Sequence, residues 1–209
     1  MYSDLVSIAH YPVRIIMKIF YGIQGTGNGH ITRGRIMARE FQAANFEVTY
    51  QFTGRPQDKF FDMEVFNDYQ WRDGLTFSTK NGKINHLNTV LQSKPLRFLK
   101  DIKQLDLSSY DLVICDYEPI TAWAGRQQNK KTIGISHQYA FHHNIPRAGN
   151  DPLSEAVMKN FAPVDIRIGL HWHHFNQPIL PPVIETPIIS QQTKKIKLLS
   201  TCHSRINIA

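Results

Sequence analysis

Apolar residues along this chain fall into short unbroken runs, separated by stretches in which they recur every three or four positions. The first rhythm belongs to strands buried on both faces and the second to helices packed against them. Lys18-Ile19-Phe20-Tyr21-Gly22-Ile23 predicts a strand over about 18–23, and Ile36, Met37, Phe41 and Ala44 predict one apolar face of a helix over about 30–44. A second strand is predicted over about 46–53, closed by Gly54-Arg55-Pro56, with shorter candidates near 68–71 and 75–79. A helical stretch over roughly 85–105 is divided by Pro95, which suits a first turn better than a helix interior.

Tyr110-Asp-Leu-Val-Ile-Cys115 then reads as a buried parallel strand ending at Asp116. Glu118-Pro119 opens a helix over about 118–125, followed by a strand over about 131–136, a helix over about 152–161 and a strand over about 165–170. The stiff Ile179-Leu-Pro-Pro182 completes the ordered part. Strands alternate with helices throughout, which predicts an α/β fold: a Rossmann-like parallel sheet flanked by helices. The chain divides into an N-terminal extension (1–16) with no clear apolar period, one domain (17–185) and an irregular tail (186–209) where the period fades.

Composition changes this picture little. The 209 residues, 42% of them hydrophobic, suffice for one large α/β core. The balance of 24 basic against 17 acidic side chains, +7 in all, suits phosphorylated ligands or an anionic surface. The basic residues are scattered and lack interleaved aromatics, which argues against nucleic acid. Cys115 and Cys202 provide neither a disulfide framework nor a thiolate metal motif, so a reducing cytoplasm is expected. His10, Pro12 and Arg14 interrupt the N-terminal apolar residues, and no membrane span is expected.

The chemistry concentrates in Gly22-Ile-Gln-Gly25-Thr26-Gly27-Asn28-Gly29-His30-Ile-Thr-Arg33. The loop lacks the lysine and hydroxyl of a phosphate-binding P-loop, and its glycine spacing is not that of dinucleotide binders. It leaves a glycine turn with His30 at a helix N-terminus, where free amides hold anions and the dipole disfavours imidazolium, a setting suited to a general base. The bland alternative is a polar first-turn residue after a turn of glycines. Strand carboxyl ends in a parallel sheet face one crevice, and two more carry Asp116 with Glu118, and Ser136-His137-Gln138. Asp116 suits either orienting His30 or capping the next helix, and Glu118 suits the helix dipole as well as chemistry. His137 and Gln138 suit a ligand hydroxyl or phosphate, or a satisfied loop. His171 and His173 share a strand face, but no carboxylate or cysteine completes a metal pattern. Trp71, Trp123, Tyr139, Phe141 and Trp172 are core candidates that also suit the wall of a binding site. Phe60-Phe61 with Lys94, Arg97, Lys100 and Lys103 suit a solvated basic face or peripheral membrane contact.

Taken together, the histidine loop, Asp116-Tyr-Glu-Pro-Ile-Thr-Ala-Trp123, Gly134-Ile-Ser-His-Gln-Tyr-Ala-Phe141, and Gly169-Leu-His-Trp172 followed by Ile179-Leu-Pro-Pro182 resemble the amino-terminal, acceptor-side half of a bacterial and archaeal GT-B glycosyltransferase family. That family is distantly similar to MurG and to UDP-glucuronosyltransferases. The resemblance covers about residues 17–185 and implies sugar transfer from a nucleotide-diphosphate sugar, such as a UDP-sugar, to a hydroxyl acceptor, lipid-linked or of the cell envelope. It implies inversion without metal or cofactor, and a cytoplasmic location reaching the inner face of the membrane. His30 would be the base and Asp116 its partner. Gly25, Thr26, Gly27, Asn28, Gly29, Arg33, Glu118, Ser136, His137 and Gln138 would contact substrate. The resemblance does not reach a donor-binding second domain, so the expectation is a truncated or frameshifted product, or a non-catalytic acceptor-binding module that works with a separate donor domain.

Overall fold

The computed structural model describes residues 16–75, 79–80, 83–84, 94–147 and 152–185. Most of the expected extension, the first part of the 85–105 helix and the 186–209 tail lie outside the described residues. The elements run β1 (Lys18–Gln24), α1 (Asn28–Ala43), β2 (Glu47–Thr53), two 3-10 turns (Gln57–Lys59 and Glu64–Phe66) and β3 (Gln70–Trp71). They continue with β4 (Thr79–Lys80), β5 (Lys83–Ile84), α2 (Pro95–Gln104), β6 (Leu112–Asp116), α3 (Pro119–Gln127) and β7 (Thr132–Ser136). The last are α4 (His137–Ala140), α5 (Pro152–Asn160), β8 (Ile166–Leu170) and β9 (Ile179–Leu180).

Seven strands form one parallel sheet in the order β3-β2-β1-β6-β7-β8-β9, and β4 and β5 make a separate antiparallel pair. The Rossmann-like α/β expectation holds. Side chains of β1 alternate between faces: Ile19, Tyr21 and Ile23 join Ile31, Ala38 and Phe41 of α1 in one core, and Phe20 joins Ile102, Ile120 and Ala124 of α2 and α3 in the other. Every β1 residue after Lys18 is buried because helices cover both faces.

Strand order reverses at β1. The chain leaves β1 towards α1 and β2 on one side, and the later strands are added from β6 onward on the other. Loops leaving β1 and β6 therefore diverge to opposite faces, opening a crevice at the carboxyl ends of these two paired strands.

Faces and short elements differ locally from expectation. The buried line of α1 is Ile31, Gly34, Ala38 and Phe41, whereas Ile36 and Met37 are half-buried and Ala44 is exposed. A Cβ on Gly34 would lie 2.8 Å from the Ile23 Cδ1, so this line comes nearest the sheet, and Ala44 lies beyond the last turn. Ile179-Leu180 is a strand paired with Gly169 and Leu170, stopped by prolines that lack the N–H a further ladder needs. The short helix α4 begins directly at the end of β7, its first turn capped by the Ser136 hydroxyl. Of the 75–79 candidate, Thr79 lies in β4 and Leu75 is irregular.

A candidate active site at the sheet's switch point

The crevice between β1 and β6 brings His30 and Asp116 together. Asp116, the last residue of β6, is fully buried, and its Oδ1 lies 2.6 Å from His30 Nδ1. Arg33, one turn along α1 from His30, grips the same carboxylate with Nε at 2.7 Å from Oδ2 and Nη2 at 2.5 Å from Oδ1. The Tyr21 hydroxyl adds a longer donation to Oδ2 at 3.5 Å. Residues three apart on a helix share a face, which lets α1 present base and guanidinium to one carboxylate.

The electrostatics determine the imidazole tautomer. Burial by itself pushes the Asp116 carboxyl up, but Arg33 and then His30 outweigh it and hold the group below its ordinary value. Asp116, held below its ordinary value, accepts only, so in the short contact His30 Nδ1 is the donor; Arg33 Nη2 also lies 3.0 Å from that nitrogen. His30 Nε2 is left with its lone pair, facing the Gln138 amide nitrogen at 3.4 Å. Gln138 is itself anchored, with its Oε1 accepting from the Ser136 hydroxyl. His30 keeps 12% side-chain exposure, enough to be reached from the crevice while Asp116 is sealed beneath it.

The glycine loop separates into an anchor and an open rim. Gly25 donates its N–H to the Thr53 carbonyl at 2.6 Å, and a Cβ there would meet the Phe60 ring at 2.7 Å. Its lack of a side chain lets β2 pin the loop. A Cβ on Gly29 would meet nothing within 4 Å, and one on Gly27 only His30 Cδ2 at 3.7 Å, so both border open space. Gly27 is the N-cap of α1 with no side-chain cap and no acidic residue in the first turn, leaving that turn's amides to the crevice. Thr26 Oγ1 accepts from the Gln24 amide at 2.7 Å, and Asn28 Oδ1 accepts from Arg55 at 2.8 Å.

Several residues expected to contact substrate have other duties. Arg33 is committed to Asp116. Glu118, fully buried, caps α3 by accepting from the N–H groups of Ile120 (2.8 Å) and Thr121 (2.7 Å), and takes the Thr53 hydroxyl at 2.9 Å. Burial raises the Glu118 carboxyl above its ordinary value despite these donors. The cap of α3 thus falls to Glu118, which frees Asp116 for His30. Ser136 caps α4 and holds Gln138. His137 Nδ1 is engaged with the Leu170 carbonyl at 2.9 Å, and its ring stacks on His171 at 5.4 Å.

The other histidines and aromatics fall into place structurally. His171, His173 and His174 each accept at Nδ1 from a backbone N–H two residues on, building the turn after β8. Among the described residues no group of three or more His, Cys, Asp or Glu is arranged to hold a metal. Tyr139 is core, Trp123 packs against the α2–α3 core, Trp71 donates to the Arg55 carbonyl, and Trp172 stands 78% exposed. Lys94 and Arg97 pair with Asp73, and no described helix is long and apolar enough to cross a membrane.

Sequence reasoning missed Gln24, whose amide ties Thr26, Thr53 and Leu75, and Arg55, which reaches from the end of β2 to the glycine loop. The signal for Arg55 was available: it follows a strand carboxyl end in a parallel sheet, like the other site residues.

Among solved structures the chain is similar to MurG of Acinetobacter baumannii, at 11% identity and TM-score 0.43, over 79% of this chain and 44% of that one. It is also similar to the glycosyltransferase SsfS6 of Streptomyces sp. SF2575, at 9% identity and TM-score 0.39, over 74% of this chain and 49% of that one. The chain thus spans about half the length of these structures. No curated protein sequence matches it. The profile of glycosyl transferase family 1 matches residues 17–195, most of the chain, and the protein belongs to that family.

Proposed function

We propose that this chain is the acceptor side of an inverting glycosyltransferase, with His30 as general base and Asp116 as the residue that orients it. One observation carries the reading: a sealed carboxylate 2.6 Å from Nδ1 holds that side of the ring and turns Nε2 towards Gln138 and the crevice. An acceptor hydroxyl beside Nε2 gives its proton to the ring as its oxygen attacks the anomeric carbon of the donor. The bond from that carbon to the diphosphate oxygen breaks, and the nucleoside diphosphate leaves with the electron pair. Asp116 stabilises the imidazolium formed. The uncapped first turn of α1 faces the same crevice and suits an anionic group of acceptor or donor.

The donor, a nucleotide-diphosphate sugar, is assigned to a second domain acting across the crevice, and the acceptor to a hydroxyl compound, lipid-linked or from the cell envelope. The domain span 17–185 is part of this proposal. The test supplies the chain with a family donor domain and measures sugar transfer. His30→Ala is expected to lower turnover by about 10²–10⁴-fold, the usual worth of general acid–base catalysis. Unchanged turnover would remove the base assignment. Acceptor binding without transfer, with any donor domain, would favour a non-catalytic acceptor module.

A further inference from the structure

Beyond the base, Gln138 also lines a cavity of about 430 Å³, together with Phe141, His142, Arg147, Glu155, Met158 and Lys159 among others. The same side chain that touches His30 Nε2 therefore forms part of the cavity wall. The cavity lies beyond the carboxyl end of β7, between the turn after α4 and the helix α5, and of its described lining only Gln138 also touches His30.

Its walls are of two kinds. Phe141, Pro152, Ala156 and Met158 are apolar, and the charged groups are Arg147, Lys159 and Glu155. Glu155 is matched by Arg147, whose Nη1 lies 3.0 Å from Oε1, while Nη2 donates to the Phe141 carbonyl. Arg147 thereby spends much of its fork on the protein, and Lys159, exposed on α5, is the other lysine or arginine of the described lining. His142 feels the resulting field. Burial first, and then Arg167 of β8, His143, Arg147 and Lys159, all hold its imidazole below the ordinary value. The largest charges acting on that ring are positive, and Glu155, the carboxylate among the described lining residues, is paired with Arg147. A wall of this kind attracts an anion.

We infer that this cavity is a subsite for a phosphate monoester carried by the acceptor, with Lys159 and His142 facing the phosphate, Arg147 adding positive charge from its pair with Glu155, and Phe141 and Met158 packing the group it is attached to. Phosphate fits better than carboxylate. Lys159 and His142 are point donors that suit a tetrahedral anion, and the guanidinium fork that would clasp a planar carboxylate is already in use. Gln138 then bridges the phosphate subsite and the base, so that recognition of the ester places the hydroxyl at His30. The inference rests on the acceptor-side reading only for the word acceptor; the phosphate subsite itself does not require His30.

The test is an NMR titration of the histidines in the full chain, without and with glucose 1-phosphate. Phosphate beside His142 is expected to move its midpoint up by about one pH unit, as an opposite charge within contact distance does. Lys159→Gln, an exposed helix position, is expected to weaken binding about tenfold while leaving the fold intact. Arg147→Met is a second variant, with thermal unfolding as its control because Arg147 also ties Glu155. Phosphatidylcholine vesicles doped with phosphatidic acid form a second arm: a shift with vesicles assigns a lipid-linked ester, and a shift with glucose 1-phosphate alone assigns a soluble one. The inference is overturned by an unmoved His142, by Lys159→Gln binding as tightly as wild type, or by glucuronate producing the same shift. His30→Ala leaves this titration untouched, so failure of the base assignment and failure of the subsite are read separately.

Discussion

Replacing Arg33 by Met isolates the interaction on which the base geometry depends. The guanidinium contacts Asp116 at 2.7 and 2.5 Å, in a place where the carboxylate has no exposure and the guanidinium side chain 11%. For paired charges with centres about 4 Å apart, an effective dielectric near 20 corresponds to about 4 kcal/mol. Removing one partner of a buried pair typically costs 3–5 kcal/mol, since the other charge is left behind. His30 and Tyr21 still face Asp116 in the variant, so we expect a loss of about 3 kcal/mol at neutral pH. The sign with pH follows from the carboxyl being held low in the fold. A native carboxyl below its unfolded value contributes stability that is full above the unfolded value and disappears as pH falls through the folded one. Urea unfolding followed from pH 7 to pH 3 should therefore show the gap between wild type and Arg33→Met narrowing on acidification. In an Asp116→Asn background, Arg33→Met should cost less than about 1 kcal/mol. A gap of about 3 kcal/mol that is independent of pH and survives in that background would refute the reasoning and make Arg33 a packing residue.

Further outcomes follow from other contacts. Gly25→Ala would push a methyl to 2.7 Å from the Phe60 ring and 2.8 Å from the Thr53 carbonyl, and should cost about 1–3 kcal/mol in denaturant unfolding as the loop shifts; an unchanged midpoint would show that the loop is not pinned by β2. Glu118→Ala removes the cap of α3 and should cost about 2 kcal/mol, with turnover per folded molecule unchanged; a turnover loss at constant stability would put Glu118 in the reaction. Cys115 is fully buried, and burial pushes its thiol well above the usual range, so iodoacetamide should modify it only at the rate of unfolding; rapid labelling of the native chain would contradict the packing around β6.

Much of this protein is legible along the chain, because the relevant signals are local. Runs such as Leu112-Val-Ile-Cys115 and Thr132-Ile-Gly-Ile135 read as parallel strands since both their faces are covered, and burial on both faces is written directly into composition. The rule that ligands collect at strand carboxyl ends also points His30, Asp116 and Gln138 to one crevice from sequence alone. Boundaries and faces were less legible. The line of α1 that faces the sheet depends on how closely Gly34 can approach Ile23, and Ile179-Leu180 becomes a strand only because β8 offers an edge.

The division of labour at the site was decided by tertiary structure alone. Asp116 and Glu118 stand two residues apart at the end of one strand, both acidic and both suited to cap α3, and no pattern separates them. Their side chains part at Tyr117, which adopts φ 53°, a left-handed conformation that a side chain takes only when its surroundings hold it. Glu118 turns to the amides of α3, and Asp116 is left beneath His30. Arg33 likewise reads from sequence as a cation for substrate, and its actual partner lies 83 positions away. Sequence carries the residue types and the elements that bear them; which charge meets which in a crevice depends on distances set by the packing of the whole sheet.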